Sequence, residues 1–217
     1  MKEKDQILEN LNTRWLNLWG RLGAFGEIKE AFTLLTTRYK EPHRFYHTLK
    51  HVEDCLNKFD EVKDFVVDKE ALELAIWYHD AVYVPGAKDN EEQSANLAIK
   101  DIKSMSLPDE LGLRVAKLIM VTKHSTIPSD FDAEVLVDID LSILGEKEEK
   151  FDGYEKQIRK EYAVVPDKGF REGRLRLLKS FLDRKNLYTT QFFYQKYEVV
   201  ARQNIARSIL NLNGKDS

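Results

Sequence analysis

Three short segments hold the residue types that can do chemistry. In AIWYHDAVY (75–83) a histidine and an aspartate, His79 and Asp80, stand side by side inside an apolar run. An ionised side chain buried without a partner costs on the order of several kcal/mol, so such a pair needs something to answer it. In YHTLKHVEDC (46–55), His47 and His51 are four residues apart, the spacing that stacks two side chains on one helix face. In VLVDIDLSILG (135–145), Asp138 and Asp140 alternate with aliphatic residues. Two imidazoles and two carboxylates projecting from helices make a mixed nitrogen and oxygen set of the kind that binds a divalent cation. With water in its open positions, such an ion acidifies that water or polarises a phosphoryl oxygen.

Each segment also has a plainer reading. His79 alone would be a core histidine bonded to a backbone carbonyl, with Asp80 at the surface. His47 and His51 would be an exposed pair, since the apolar stripe Phe45, Leu49, Val52, Leu56 and Phe59 turns them away from the core. Cys55, one turn beyond His51, is either a soft metal ligand or a small packing residue. Helical phase places Asp140 on the stripe of Leu136, Val137, Ile143 and Leu144, so Asp140 is expected inside. Asp138 lines up with Glu134 and Ser142 and is expected on the polar side.

The elements that must position these residues are helices. Spacing predicts them near 4–22, 26–38, 45–63, 69–83, 90–105, 109–123, 132–144, 147–162, 168–185 and 190–211. Breaks fall at KEPHR, VPGAKDN, SLPDE, STIPSD and VVPDKG, each with Pro or Gly turn chemistry. Strand-like alternation is almost missing, and no glycine-rich phosphate loop or G-x-S-x-G elbow occurs. The expectation is one all-α domain over 1–217, a bundle of about ten helices.

Bulk properties narrow the function classes. With 34 Lys+Arg against 37 Asp+Glu, the formal charge of -3 calls for neither nucleic acid nor an anionic membrane. No apolar run approaches the roughly 20 residues of a membrane span. The opening MKEKDQILEN has no apolar core or cleavage site, and a single cysteine suits a reducing compartment, so a cytoplasmic location is expected.

The ordered set His51, then His79–Asp80, then Asp140 resembles the HD superfamily of metal-dependent phosphohydrolases, an all-α fold named for its His-Asp pair. YHTLKHVED also resembles the Y-H-x-x-x-H segment of the cyclic-nucleotide phosphodiesterases, a branch of that superfamily. A closer likeness is to an uncharacterised bacterial branch of predicted HD phosphohydrolases. It is carried by YKEPHRFYHTLKHV, WYHDAVY, DNEEQSA, DIDLSILG, IRKEY and RQNIA over roughly residues 39 to 207. The resemblance implies a single HD-type domain whose metal ligands are His51, His79, Asp80 and Asp140. It implies one divalent ion (Mn, Zn, Fe, Ni or Mg) and His47 as the acid that protonates a leaving group. The further histidine that phosphodiesterases carry after the His-Asp pair is not matched by HDAVYVPG, so cyclic-nucleotide cleavage is not implied. Two-iron oxygenases on this fold need two more histidines before the distal aspartate, and only His124 stands there. A second, loosely held ion bridged by Asp80 is left open.

Around this set, Glu91 in DNEEQSANLAIKDI is the candidate base that orients the attacking water, against the plain preference of acids for a helix N-terminus. Asp89 or Asn90 is expected to cap that helix. Lys123 and His124 follow a helix end and are candidate substrate-phosphate contacts; a histidine there can instead satisfy a carbonyl. Arg44, three residues before His47, carries the planar donor fork suited to phosphate. His43 is expected at the surface. The basic run REGRLRLLKSFLDRK reads as a solvated helix face, and Glu198 with Arg202 as a surface ion pair. The expected activity is hydrolysis of a small phosphate ester or phosphoanhydride, with nucleotides among the candidate substrates. The alternatives are a non-catalytic nucleotide or metal sensor and an iron oxygenase on the same scaffold.

Overall fold

The computed structural model describes residues 2–124, 128 and 130–214. The described residues form ten α-helices and no strands, the all-α class that the spacing predicts. These are α1 Lys2–Arg21, α2 Ile28–Arg38, α3 Leu49–Val62, α4 Lys69–Tyr78, α5 Asn90–Ser104, α6 Asp109–Val121, α7 Phe131–Leu141, α8 Glu148–Glu161, α9 Asp167–Leu182 and α10 Gln191–Asn213. Short 3-10 turns follow α3 (Lys63–Phe65) and α7 (Ser142–Gly145). The predicted break STIPSD lies mostly outside the described residues. No described helix is long and apolar enough to cross a membrane. The chain divides into two compact units, 1–136 and 137–217.

In the first unit α4 is the central helix, packed against α3, α5 and α6. Every residue from Ala71 to Tyr78 is buried, Glu73 included, as expected of a helix that is apolar all round. The core beside it is aromatic. Trp15 meets Trp19 and Trp77 edge to face, each with ring centroids 5.2 Å apart, and its indole Nε1 donates to the carbonyl of Ile28 at 2.9 Å. Glu73 accepts from Arg14 Nε at 2.6 Å and from Arg21 at 2.7 Å, so its buried charge is answered twice.

Two helix ends differ from the spacing by four residues or more, and both lie at the chemistry. The helix expected from residue 45 begins at Leu49, where Thr48 caps it by accepting from the Lys50 amide. His47 therefore precedes α3, and Phe45 is 42% exposed instead of joining the stripe. The helix expected to reach residue 83 stops at Tyr78, with His79 as its C-cap and Asp80 in the turn beyond. The late carbonyls of α4 are taken by side chains instead of by further helical amides. His79 Nδ1 donates to Ile76 O at 2.9 Å and the Tyr39 hydroxyl to Trp77 O at 2.9 Å.

The second unit is built on α10, which packs against α9 and the 142–145 turn. The approach to that turn is close enough that a Cβ on Gly145 would lie 2.5 Å from Tyr197 Cβ, so only glycine fits there. Asn204 of α10 donates to the carbonyls of Leu144 and Glu146 at 3.0 and 2.8 Å, tying down the segment after DID. Glu198 is buried and accepts from the amides of Leu187 and Tyr188 as well as from Arg202 Nε. It is thus an anchor for the 187–190 turn and not the surface pair expected. Arg174 is likewise buried, donating to Glu155 through Nε at 3.1 Å, so the basic run of α9 is not wholly a solvated face.

Candidate metal centre

The end of α4 and the start of α3 bring His47, His51, His79 and Asp80 to one point of the first unit. Asp80 Oδ2 lies 3.0 Å from His79 Nε2, 3.5 Å from His51 Nε2 and 4.0 Å from His47 Nε2. His51 Nε2 and His79 Nε2 are 3.1 Å apart. The side chains of His51 and His79 are 3% and 2% exposed, while that of Asp80 keeps 18%. The buried His51 contrasts with the exposed pair considered from the sequence. The C-cap position of His79 releases Asp80 from the helix, so a neighbouring pair in sequence can converge on one point in space.

The tautomer of His79 follows from its partner. A carbonyl only accepts, so the contact with Ile76 O requires a proton on Nδ1. The other nitrogen, Nε2, faces the Asp80 carboxylate and the second imidazole: it donates to Asp80 when the ring is protonated and offers a lone pair when the ring is neutral. A ring nitrogen committed to a carbonyl while the other faces a carboxylate is the outer arrangement that orients metal-ligating histidines. Burial works to raise the Asp80 pKa. The charge of His79 and His47, with hydrogen bonds from His51 and His79, outweighs it and holds the carboxyl well below its ordinary value. Asp80 is thus an ionised acceptor. Cys55 Sγ, one turn along α3, lies 3.7 Å from both ring nitrogens of His51. The donor atoms of His51, Cys55 and His79 all fall within 4.8 Å of one another, a buried group able to hold a metal ion.

The surrounding residues position this point. Arg44 has a side chain with 0% exposure. It donates from Nη1 to the carbonyls of His47 (3.2 Å) and Asp80 (2.7 Å) and from Nη2 to that of Ala81 (3.1 Å). Its Nε pairs with Glu41 at 3.0 Å. The expectation that Arg44 reaches for a substrate phosphate is corrected: the fork is spent on the backbone of the His-Asp turn. Asn90 does not cap α5. Its side-chain amide pairs with both the N–H and the C=O of Val84 at 3.0 Å, and Ser94 Oγ takes the Val82 amide at 3.0 Å. The DNEEQSA motif therefore holds the loop after the His-Asp pair. Tyr39, Asn90 and Ser94 were missed as positioning residues because hydrogen bonds to distant carbonyls leave no periodic trace.

Glu91 sits half-buried in the first turn of α5. Its neighbour Glu92, not Glu91, forms the ion pair with Lys123, whose ammonium is thereby taken. His124 lies past the end of α6 with φ of 54°, an uncommon backbone conformation for a non-glycine residue. His43 is not simply at the surface: its Nε2 lies 2.8 Å from the carbonyl of Tyr83. A cleft of about 580 Å³ lined by Arg14, Arg21, Asp60 and Glu73 shares no residue with the cluster, and these charges pair with one another.

In the second unit the two carboxylates of DID reverse the expected order. Asp138 is fully buried, and Asp140 is half-buried. Asp138 accepts from the Thr190 amide and hydroxyl, both at 2.7 Å, and from the Thr189 amide at 3.0 Å. Burial pushes its carboxyl up to about 6 against these donors, which pull it down. Asp138 is thus an internal strut.

No family model matches the chain, and no curated protein or solved structure matches it either.

Proposed function

We propose that the chain is a metal-dependent phosphohydrolase acting on a small phosphate ester or phosphoanhydride, with nucleotides among the candidate substrates. The observation that carries this reading is the contact of His51 Nε2, His79 Nε2 and Asp80 Oδ2, at 3.0 to 3.5 Å, with His79 Nδ1 already committed to Ile76 O. With His51 and His79 each donating to Asp80, the 3.1 Å contact between their two Nε2 atoms is left N–H facing N–H. A divalent cation satisfies all three contacts, and the donor chemistry is right for one. We assign one ion to this point. When bound, such an ion acidifies water and polarises a phosphoryl oxygen.

The chain's own groups supply the remainder. His47, half-buried and outside α3, sits against the Tyr83 ring with centroids 4.1 Å apart, and its Nε2 faces Asp80. A histidine so held, beside the ion and accessible, is suited to give a proton to the departing oxygen. Glu91 is the residue assigned to orient water. Arg44 serves as the positioning residue that fixes the carbonyls of His47 and Asp80 to one guanidinium.

The test is turnover of metal-loaded protein against a panel of nucleotides, sugar phosphates and inorganic anhydrides, with Asp80→Ala as the control. Metal-dependent release of phosphate that disappears in Asp80→Ala supports the reading. A stoichiometrically loaded protein that turns over nothing in the panel favours the sensor.

A further inference from the structure

We propose that Cys55 Sγ is a donor to the same ion as His51 and His79, and that the centre therefore selects a borderline-soft divalent ion, zinc ahead of magnesium. The proposal rests on the metal reading above and goes beyond the ligand set that the HD resemblance implies, which contains no cysteine.

Cys55 follows His51 by one helical turn, so α3 stacks the two side chains on one face. The sulfur is buried and lies 3.7 Å from His51 Nε2, and the three donor atoms are within 4.8 Å of one another. These separations can be compared with those around a single ion. With metal–nitrogen bonds of about 2.0–2.1 Å and a metal–sulfur bond of about 2.3 Å, neighbouring ligand atoms sit roughly 3–3.6 Å apart for angles between 90° and 109°. The observed spacings are 3.1 Å between the imidazoles, 3.0 Å from His79 to Asp80 and 3.7 Å from Cys55 to His51. Sulfur thus stands at a ligand's distance from an imidazole that the rest of the site already aims at the ion.

A set with two imidazoles and a thiolate disfavours magnesium, which demands oxygen in near-ideal octahedral geometry, and suits zinc, cobalt or ferrous iron. The thiol would bind as thiolate, its proton passing to solvent as the ion enters.

Cobalt(II), which reports its ligands optically where zinc does not, provides the experiment. The full chain is loaded with cobalt and its spectrum compared with those of Cys55→Ala and Cys55→Ser, two variants so that failure of one to fold does not end the test. The expected result is a near-ultraviolet thiolate-to-cobalt charge-transfer band in the wild type. Both variants should lose that band yet keep the visible cobalt bands. The chain has one cysteine, so the band reports Cys55 alone. Zinc affinity, measured by competition with a chromophoric chelator, should fall about tenfold or more in the variants, since even outer partners of a ligand are worth about 10–100-fold. Cobalt bound with visible bands but no charge-transfer band in the wild type overturns Cys55 as a ligand and leaves the histidine–aspartate centre standing. A wild type that binds no cobalt overturns both.

Discussion

Arg44 donates to the main-chain carbonyl of Asp80 at 2.7 Å from a side chain with no exposure. The same nitrogen reaches the carbonyl of His47, so one guanidinium joins two loops that carry residues of the site. This bond replaces the helical amide that would have met Asp80 had α4 continued, and it is why the carboxylate can leave the helix axis.

Arg44→Ala strips donors from three carbonyls at once. Each buried acceptor left unmet costs about 1–3 kcal/mol, and water recovers part of that, so a loss of roughly 2–4 kcal/mol is expected. Metal content should fall with it although no ligand has been touched. Arg44→Lys keeps the charge but lacks the fork and should recover less than half of the stability. Thermal unfolding and elemental analysis of both variants check this; an Arg44→Ala protein as stable and as metal-rich as the wild type would contradict the clamp.

The helix count was legible in the sequence, and the helix ends at the site were not. Apolar spacing locates all ten helices because burial of a stripe is written at 3.6-residue intervals. It overruns at residues 45–48 and 79–83 because the residues there keep helical or apolar character while the side chains of Arg44 and Ser94 bind their backbone. Phase misplaced Asp138 for a related reason. Its donors, Thr189 and Thr190, come from a turn some fifty residues later, and nothing near DID announces them. The His-Asp pair stood out because an apolar run has no other use for it.

That reversal makes a direct test. Asp138→Asn places an amide NH₂ against a cluster of donors, and a loss of about 1–3 kcal/mol is expected with metal content retained. Asp140→Asn, at the half-buried carboxylate, should cost less. Denaturant unfolding and metal analysis on the two variants check this. If Asp138→Asn is silent in unfolding, the strut assignment falls.

Removing the ion should itself be visible. An ion present at a hundred times its Kd adds about 2.7 kcal/mol to the folded state. For a chain of this size that corresponds to roughly 5–10 °C in Tm. Chelation of the wild type should remove this increment, while His79→Ala and Asp80→Ala should start without it. An equal chelator effect in Asp80→Ala would move the ion to another place in the protein.

The acid role of His47 has a test that a structural role does not pass. His47 Nε2 is 4.0 Å from Asp80 Oδ2, the most distant of the three imidazoles. Its side chain is also the most open of the three, at 18% against 3% for His51 and 2% for His79. Both features suit a group that hands over a proton and not one that ligates. His47→Ala should therefore retain the ion, and turnover should drop by about 10²–10⁴-fold, the usual worth of a positioned acid. The loss should shrink toward unity on a nitrophenyl phosphate, whose leaving group departs without a proton. Equal losses on good and poor leaving groups, with the ion retained, would mean that His47 only shapes the site. Loss of the ion together with activity would make His47 a ligand, and the spacing around Asp80 would then have to be read as room for a second ion.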